Sequence, residues 1–156
     1  MARDSEEIRV VASNRRARHD YLILEEFEAG LVLVGSEVKS LRGGKASIQE
    51  AYALVRGEEA LLIGAHIPEY PWAHQHNHEP TRSRRLLLHA KQIAKIGKAV
   101  REKGVTLVPL ALYFKGHLVK CSLALVKGKK THDKRQAERE REDRREMRRA
   151  ATRRTT

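Results

Sequence analysis

The residues best suited to hold a metal ion are three histidines that alternate after a Pro-Trp pair, namely His74, His76 and His78. Imidazole is a good ligand for Zn, Cu and Ni. Glu79 is the only carboxylate beside them, however, and zinc sites in proteins use three or four protein ligands. We therefore favour a polar loop whose imidazoles face solvent or nucleic acid, and we expect no metal and no cofactor.

Catalytic groups are difficult to assemble from this sequence. No serine lies in the strand-to-helix turn that exposes a nucleophile. Glu25, Glu26 and Glu28 lie among apolar residues, which is typical of a solvated strand face rather than of convergent acids that bind divalent ions. Gly128-Lys129 resembles the end of a P-loop, but Leu123 occupies the place of its first glycine. The sequence predicts a protein that is not an enzyme, and an RNA-processing enzyme is the weaker alternative.

The charge of the chain indicates a polyanionic partner. Lys and Arg number 32 against 20 Asp and Glu, which gives a net charge of +12 with His neutral. Such a balance is typical of proteins that bind nucleic acid or an anionic membrane. The longest apolar runs are split by Lys115-Gly116-His117, and neither could span a bilayer. We therefore predict a nucleic-acid partner and no membrane. The single cysteine, Cys121, fits a reducing cytoplasm.

The positive charge is concentrated at the C-terminus. Residues 127–156 hold 13 Lys and Arg against 6 Asp and Glu, and Met147 is their only large apolar side chain. A segment of this kind cannot offset its ordering entropy by burial. We divide the chain into an RNA-binding body, residues 1–126, and a basic tail, residues 127–156. The tail is expected to be disordered when free and helical once its arginines meet RNA phosphates.

The body is predicted to be mainly β, as an OB-like closed antiparallel barrel of about six strands with one to three helices. Two hairpins are indicated by short turns that contain Gly57 and Gly116. Pro109 is expected at an edge or a bulge because it cannot donate to a ladder. The predicted strands cover residues 21–27, 31–34, 52–55, 60–67, 85–89, 107–114 and 118–126.

The sequence predicts one helix more strongly than any other. Ile93, Ile96 and Val100 recur at helical spacing within residues 90–103, and Gly104 is placed to end the helix. A shorter helix is predicted over residues 37–41.

Two basic clusters are candidates for RNA contact. Residues 14–20 could be a solvated arm or an RNA-binding segment. Arg82, Arg84 and Arg85 could lie on one face of the barrel and follow a phosphate backbone. The candidates for stacking on unpaired bases are His19, Tyr21, Trp72 and His89.

The order of five segments resembles one family, small protein B, which binds transfer-messenger RNA (tmRNA). The matching segments are NRRARHDY at 14–21, EAG at 28–30, GSEVKSLR at 35–42, NHEPTRSRRLLLH at 77–89 and KGKKTHDKR at 127–135. Another OB-like translation protein, such as a ribosomal protein or an initiation factor, would share the charge and the barrel but not these linked motifs.

The resemblance implies an OB-like barrel that binds the tRNA-like domain of tmRNA and delivers it to stalled ribosomes for trans-translation. It implies an adaptor without catalytic activity, and we expect a monomer. The residues predicted to bind tmRNA are Asn14, Arg15, Arg16, Arg18, His19, Glu28, Lys39, Arg82, Arg84, Arg85, Leu87 and His89.

The resemblance also implies that the tail enters the empty mRNA channel and the decoding centre, beside small-subunit rRNA. The residues predicted to bind the ribosome are Lys127, Gly128, Lys129, Lys130, His132, Asp133, Lys134, Arg135, Arg139 and Arg145.

Overall fold

A computed structural model describes residues 7–128 and 141–149 of the chain. Within 7–128 the strands are β1 Ile8–Ser13, β2 Tyr21–Leu31, β3 Tyr52–Arg56, β4 Glu59–Ile63, β5 Arg84–Leu87, β6 Val105–Lys115 and β7 Leu118–Gly128. The helices are α1 Arg15–Asp20, α2 Gly35–Arg42 and α3 Ala90–Ala99, with one 3-10 turn at His74–His76. Residues 141–149 form a further helix whose side chains are all exposed. No helix in this described part is long and apolar enough to cross a membrane.

Six of the strands close into a ring. The order β6-β3-β4-β5-β2-β7 is completed by pairing between β6 and β7. Strand β1 pairs with residues 111–115 of β6, beyond the point at which β3 pairs with Leu107. All pairings are antiparallel. The register of β6 against β7 shifts between Pro109 and Ala111, so the proline lies at the predicted bulge. The prediction of a mainly β, closed barrel is confirmed.

The long strands β6 and β7 have two apolar faces. Leu107, Leu112, Leu123 and Leu125 point into the barrel core with almost no exposure. Alternate residues must point outward. Val108, Leu110, Ala124 and Val126 form a second, smaller cluster, and Ala17 of α1 completes it. Helix α1 is therefore packed on the outside of the barrel, and its position is fixed by that cluster.

Several element boundaries differ from the sequence predictions. Strand β1 was not predicted, because its alternation of charged and apolar residues is short. Strand β2 runs unbroken through Glu28-Ala29-Gly30, which had been interpreted as a break. Helix α3 ends at Ala99 rather than at residue 103, and α2 extends the predicted 37–41 helix at both ends. Strand β7 includes Lys127 and Gly128, which we had assigned to the tail.

Candidate nucleic-acid interface

Helix α1 presents the first basic cluster on a rigid support. Asn14 is buried as the residue before the helix, where its side chain accepts a hydrogen bond from the Ala17 N–H at 3.2 Å. Its amide also donates to the Pro109 carbonyl at 3.1 Å. Ala17 is buried beneath the helix, so the exposed side chains are Arg15, Arg16, Arg18 and His19. The segment is therefore an ordered helix rather than an arm, and Asn14 positions it instead of lying at the surface.

On the outside of the barrel, one outward-facing row of residues crosses four strands. Leu87 of β5 lies opposite Gly30 of β2, Gly30 lies opposite Lys120 of β7, and Lys120 lies opposite Tyr113 of β6. Leu87 is 52% exposed. A β-carbon at Gly30 would lie 3.2 Å from the β-carbon of Leu87, so the glycine leaves room for the leucine to lie over β2. We call this outer surface of β5, β2, β7 and β6, together with α1, the outer face.

Glu28 is the acidic residue at the centre of the outer face. One carboxylate oxygen accepts a hydrogen bond from the phenol of Tyr113, and the other lies 3.3 Å from the ammonium of Lys115. The hydrogen bond from Tyr113, followed by the effects of Lys115 and Lys120, holds the pKa of Glu28 below its ordinary value of 4.5. Burial, followed by the bond to Glu28, raises the pKa of Tyr113, so the phenol remains a donor. Glu28 is thus an ionised acceptor in a fixed position.

The neighbouring glutamates of β2 connect the strand to both flanking helices. Glu26 accepts from Arg18 of α1 at 3.0 Å, and Glu25 accepts from Lys95 of α3 at 2.7 Å. Both pairs are exposed, so each contributes little to stability. The predicted solvated strand face is therefore paired with cations along its length.

The second basic cluster divides between the inside and the outside of the barrel. Arg85 is exposed, as predicted for a phosphate-binding residue. Arg84 is completely buried, and its guanidinium binds Glu37 and donates to the carbonyls of Ala65 and Pro80 at 2.7 and 2.9 Å. The interpretation of Arg84 as a direct RNA contact does not fit this burial. Alternation along β5 explains the difference, because Arg84 and Leu86 face inward.

Glu37 is the buried acceptor to which two arginines of this cluster, Arg82 and Arg84, donate. It also accepts, at 3.0 Å, from the Val34 N–H at the start of α2. Burial acts to raise the pKa of Glu37, but the hydrogen bonds from Arg82, Val34 and Arg84 outweigh it and leave the pKa below its ordinary value. Arg82 is half-buried, and its guanidinium is paired with Glu37. Lys39 of α2 is exposed.

The three histidines do not form one group. His74 and His76 are exposed in the 3-10 turn, whereas His78 is buried. The Nε2 atom of His78 lies 2.8 Å from the Ile67 carbonyl, which can only accept, and Nδ1 lies 2.8 Å from the Ser36 hydroxyl. The prediction that all three imidazoles face solvent or nucleic acid is wrong for His78. Within residues 7–128 and 141–149, no three His, Cys, Asp or Glu side chains are grouped to hold a metal ion.

The four candidate stacking residues have different surroundings. His19 is exposed in the last turn of α1, and His89 is exposed as the residue before α3. Trp72 is 73% exposed in the loop before β5. Tyr21 packs against the cluster beneath α1 and is only partly accessible. His89 precedes α3, and its backbone N–H donates to Gln92 at 3.0 Å.

Most of the predicted ribosome-binding residues lie outside the described residues. Lys127 and Gly128 pair with Leu22 and Tyr21 at the end of β7. Arg145 is exposed in the helix at 141–149. The residues that lie outside the description are Lys129, Lys130, His132, Asp133, Lys134, Arg135 and Arg139.

Sequence reasoning missed three side chains of the outer face. Tyr113, Lys115 and Lys120 come from the β6–β7 hairpin, for which the sequence predicts only the strands and their turn. Alternation counted from the inward-facing Leu107 would have placed Tyr113 and Lys115 inside the barrel, and they face outward because of the bulge between Pro109 and Ala111. Their proximity to Glu28 depends on pairing between β2 and β7, which a sequence pattern does not reveal.

Comparison with known proteins identifies related chains. A family model described as SmpB protein matches residues 11–153. An SsrA-binding protein of Microcystis aeruginosa is 50% identical over 98% of this chain and 100% of its own length. An SsrA-binding protein of Pelotomaculum thermopropionicum is 54% identical over 92% of this chain and 94% of its own length. A chain of the solved structure named "tmRNA-SmpB: a journey to the center of the bacterial ribosome" is 44% identical, with a TM-score of 0.64, over 75% of this chain and 82% of that chain.

Proposed function

This chain belongs to the SmpB protein family, and we propose that it binds tmRNA and delivers it to stalled ribosomes for trans-translation. The observation that carries the proposal is the similarity to SsrA-binding proteins, at 50% and 54% identity over more than nine tenths of the chain. SsrA RNA and tmRNA are two names for one RNA. The adaptor works in the cytoplasm and carries out no catalysis of its own.

The outer face supports the RNA-binding part of this proposal. It combines the exposed arginines of α1, Arg85, Lys115 and Lys120 with Leu87 and the carboxylate of Glu28. The cations supply affinity for phosphates, which is largely independent of base sequence. A fixed carboxylate supplies selectivity, because it accepts hydrogen bonds from a 2′-hydroxyl or a base amine and repels a phosphate placed in the same position.

Several of the residues predicted to bind tmRNA act from beneath the surface. Asn14 holds α1, and Glu37 with Arg84 holds the start of α2 against the segment that leads into β5. We therefore assign Asn14 and Arg84 to positioning. Direct contact is assigned to Arg15, Arg16, Arg18, His19, Glu28, Arg85, Leu87 and His89, with Lys39 and Arg82 at the periphery.

The tail is proposed to test whether the mRNA channel is empty. It begins after Gly128, where β7 ends beside Tyr21 at the α1 end of the barrel. Asp133 is suited to cap a helix that starts at this point, and Lys134 and Arg135 would meet rRNA phosphates. An mRNA in the channel would exclude this segment, so the tail would make delivery of tmRNA depend on the ribosome being stalled with an empty channel.

The experiment that tests this function measures tagging in bacteria that lack their own SsrA-binding protein. The full chain should restore addition of the tmRNA-encoded tag to a reporter translated from an mRNA without a stop codon. Asp133→Ala/Lys134→Ala/Arg135→Ala should bind tmRNA with nearly unchanged affinity and fail to restore tagging. Full tagging by the triple variant would reject the role of the tail. Equal losses of tmRNA affinity and of tagging would assign these residues to the tmRNA site instead.

A further inference from the structure

The loop between β4 and β5 is closed by a side-chain clamp. Asn77 donates to the Tyr70 carbonyl at 2.8 Å and accepts from the Tyr70 N–H at 2.8 Å. These paired hydrogen bonds reproduce the exchange between two strand residues, so the backbone at residues 70 and 77 is held together. Trp72 and the 3-10 turn at His74–His76 lie between the two clamped positions. The backbone of His74 has a φ of 49°, a conformation that residues other than glycine rarely adopt.

The clamped loop is anchored to α2 and to the barrel from its C-terminal side. Buried His78 joins the Ser36 hydroxyl to the Ile67 carbonyl. The carbonyl of Pro80 accepts from Arg84, and Ile67 N–H donates to the same carbonyl at 2.9 Å. The loop is therefore fixed by buried polar contacts, although its own surface is in solvent.

The fixed loop exposes the only tryptophan in the chain. Trp72 is 73% exposed, and its ring centroid lies 5.4 Å from that of Tyr70 with a tilt of 56°. The ammonium of Lys39 lies 5.7 Å from the Tyr70 centroid. An exposed aromatic ring contributes binding free energy when a partner covers it and removes it from water. Two aromatic rings beside a cation are the combination used to stack a base and bind its phosphate.

This aromatic loop, residues 70–77, is continuous with the outer face. Residues 78–83 connect it to β5, which carries Arg85 and Leu87. The Arg82 guanidinium reaches from the loop side to the Val32 carbonyl, and the Val32 N–H donates to the Arg85 carbonyl at 3.0 Å. An RNA that covers Leu87 and Arg85 on the outer face therefore comes next to the aromatic loop at the edge of that face.

We propose that the aromatic loop binds an unpaired base of tmRNA, with the base stacked on Trp72 and a phosphate beside Lys39. The inference rests on the proposed function, because it extends the same RNA surface. A base is favoured over a protein partner because Lys39 adjoins the Tyr70 ring beside Trp72 and the chain carries a net charge of +12. Single-stranded bases are bound by this pairing of an aromatic platform with a cation whatever their sequence.

The test uses Trp72 as its own reporter, since every tryptophan signal of the full chain comes from this residue. Adding tmRNA should quench and shift its fluorescence at the same concentrations at which labelled tmRNA shows binding by anisotropy. Trp72→Ala should weaken the Kd for tmRNA by about tenfold, within the range known for loss of one base stack. Trp72→Phe, which retains a ring, should recover most of that loss.

The matched control is Tyr52→Ala, which removes an aromatic ring that is 46% exposed on β3. This variant should bind tmRNA with unchanged affinity. Binding of tmRNA with no change in fluorescence, and unchanged affinity in Trp72→Ala, would overturn the inference and leave the proposed function intact. Quenching by ribosomes alone would overturn it as well, by assigning the loop to the ribosome. Failure of the wild-type chain to bind tmRNA would refute both the inference and the proposed function.

Discussion

At the scale of single residues, the carboxylate of Glu28 owes its state to a neighbour on another strand. Tyr113 is the largest influence that lowers the pKa of Glu28, with Lys115 and Lys120 adding to it, while burial opposes them. The folded pKa lies below the ordinary one, so this contact stabilises the fold above pH 4.5 and the effect is lost as the pH falls through the folded pKa. Glu28 is therefore ionised wherever the protein would meet RNA.

The variant Tyr113→Phe tests this arrangement. It should lower the free energy of unfolding at neutral pH by about 1 kcal/mol, the usual contribution of one such hydrogen bond. The difference from wild type should shrink as the pH is lowered below 4.5, because protonated Glu28 no longer depends on the phenol. Urea denaturation at a series of pH values measures the effect, with Tyr52→Phe as the control. A difference that is the same at every pH would show that the hydroxyl matters only for packing.

At the scale of elements, α2 and β5 are joined by a buried ion pair rather than by apolar contact alone. Glu37 and Arg84 are both fully buried, and their remaining polar atoms bind Arg82, backbone carbonyls and the Val34 N–H. Part of the described loop between β4 and β5 depends on the same guanidinium through Pro80. Removing one partner would leave a charge without compensation in the protein interior.

The variant Glu37→Ala should therefore destabilise the fold by about 3–5 kcal/mol, as expected when a buried pair loses one member. Glu26→Ala is the matched control, because its pair with Arg18 is exposed and its loss should cost no more than about 1 kcal/mol. Chemical denaturation of the full chain at neutral pH compares the two. Losses of equal size would contradict the structural role given to Glu37.

Local patterns predicted those elements whose partners are near in sequence. The hairpins β3–β4 and β6–β7 followed from their turns, and the start of α3 followed from its apolar spacing. Helix α1 was not predicted, because six mostly basic residues carry little helical signal and its position depends on the outside of β6 and β7. Arg84 was assigned to the surface because its acidic partner, Glu37, is distant in sequence.

At the scale of the whole molecule, the described barrel has two ends with different surfaces. Helix α1 and the last residues of β7 lie at one end, where the tail begins. The start of β5, α2 and the aromatic loop lie at the other. The outer face connects them, so one RNA could contact the arginines of α1, Glu28 and Trp72 in succession. The resemblance in sequence predicted the partner, whereas only the paired strands reveal this continuous surface.

The tmRNA affinity of Glu28→Ala, compared with that of Glu58→Ala, tests whether tmRNA lies on the outer face. Both variants remove one exposed carboxylate, Glu28 from the outer face and Glu58 from the β3–β4 turn. Charge alone would strengthen binding to RNA in both. If Glu28 accepts a hydrogen bond from tmRNA, Glu28→Ala should instead raise the Kd by about tenfold, while Glu58→Ala leaves it unchanged or slightly lower. Equal or tighter binding by Glu28→Ala at matched stability would contradict the placement of tmRNA on the outer face.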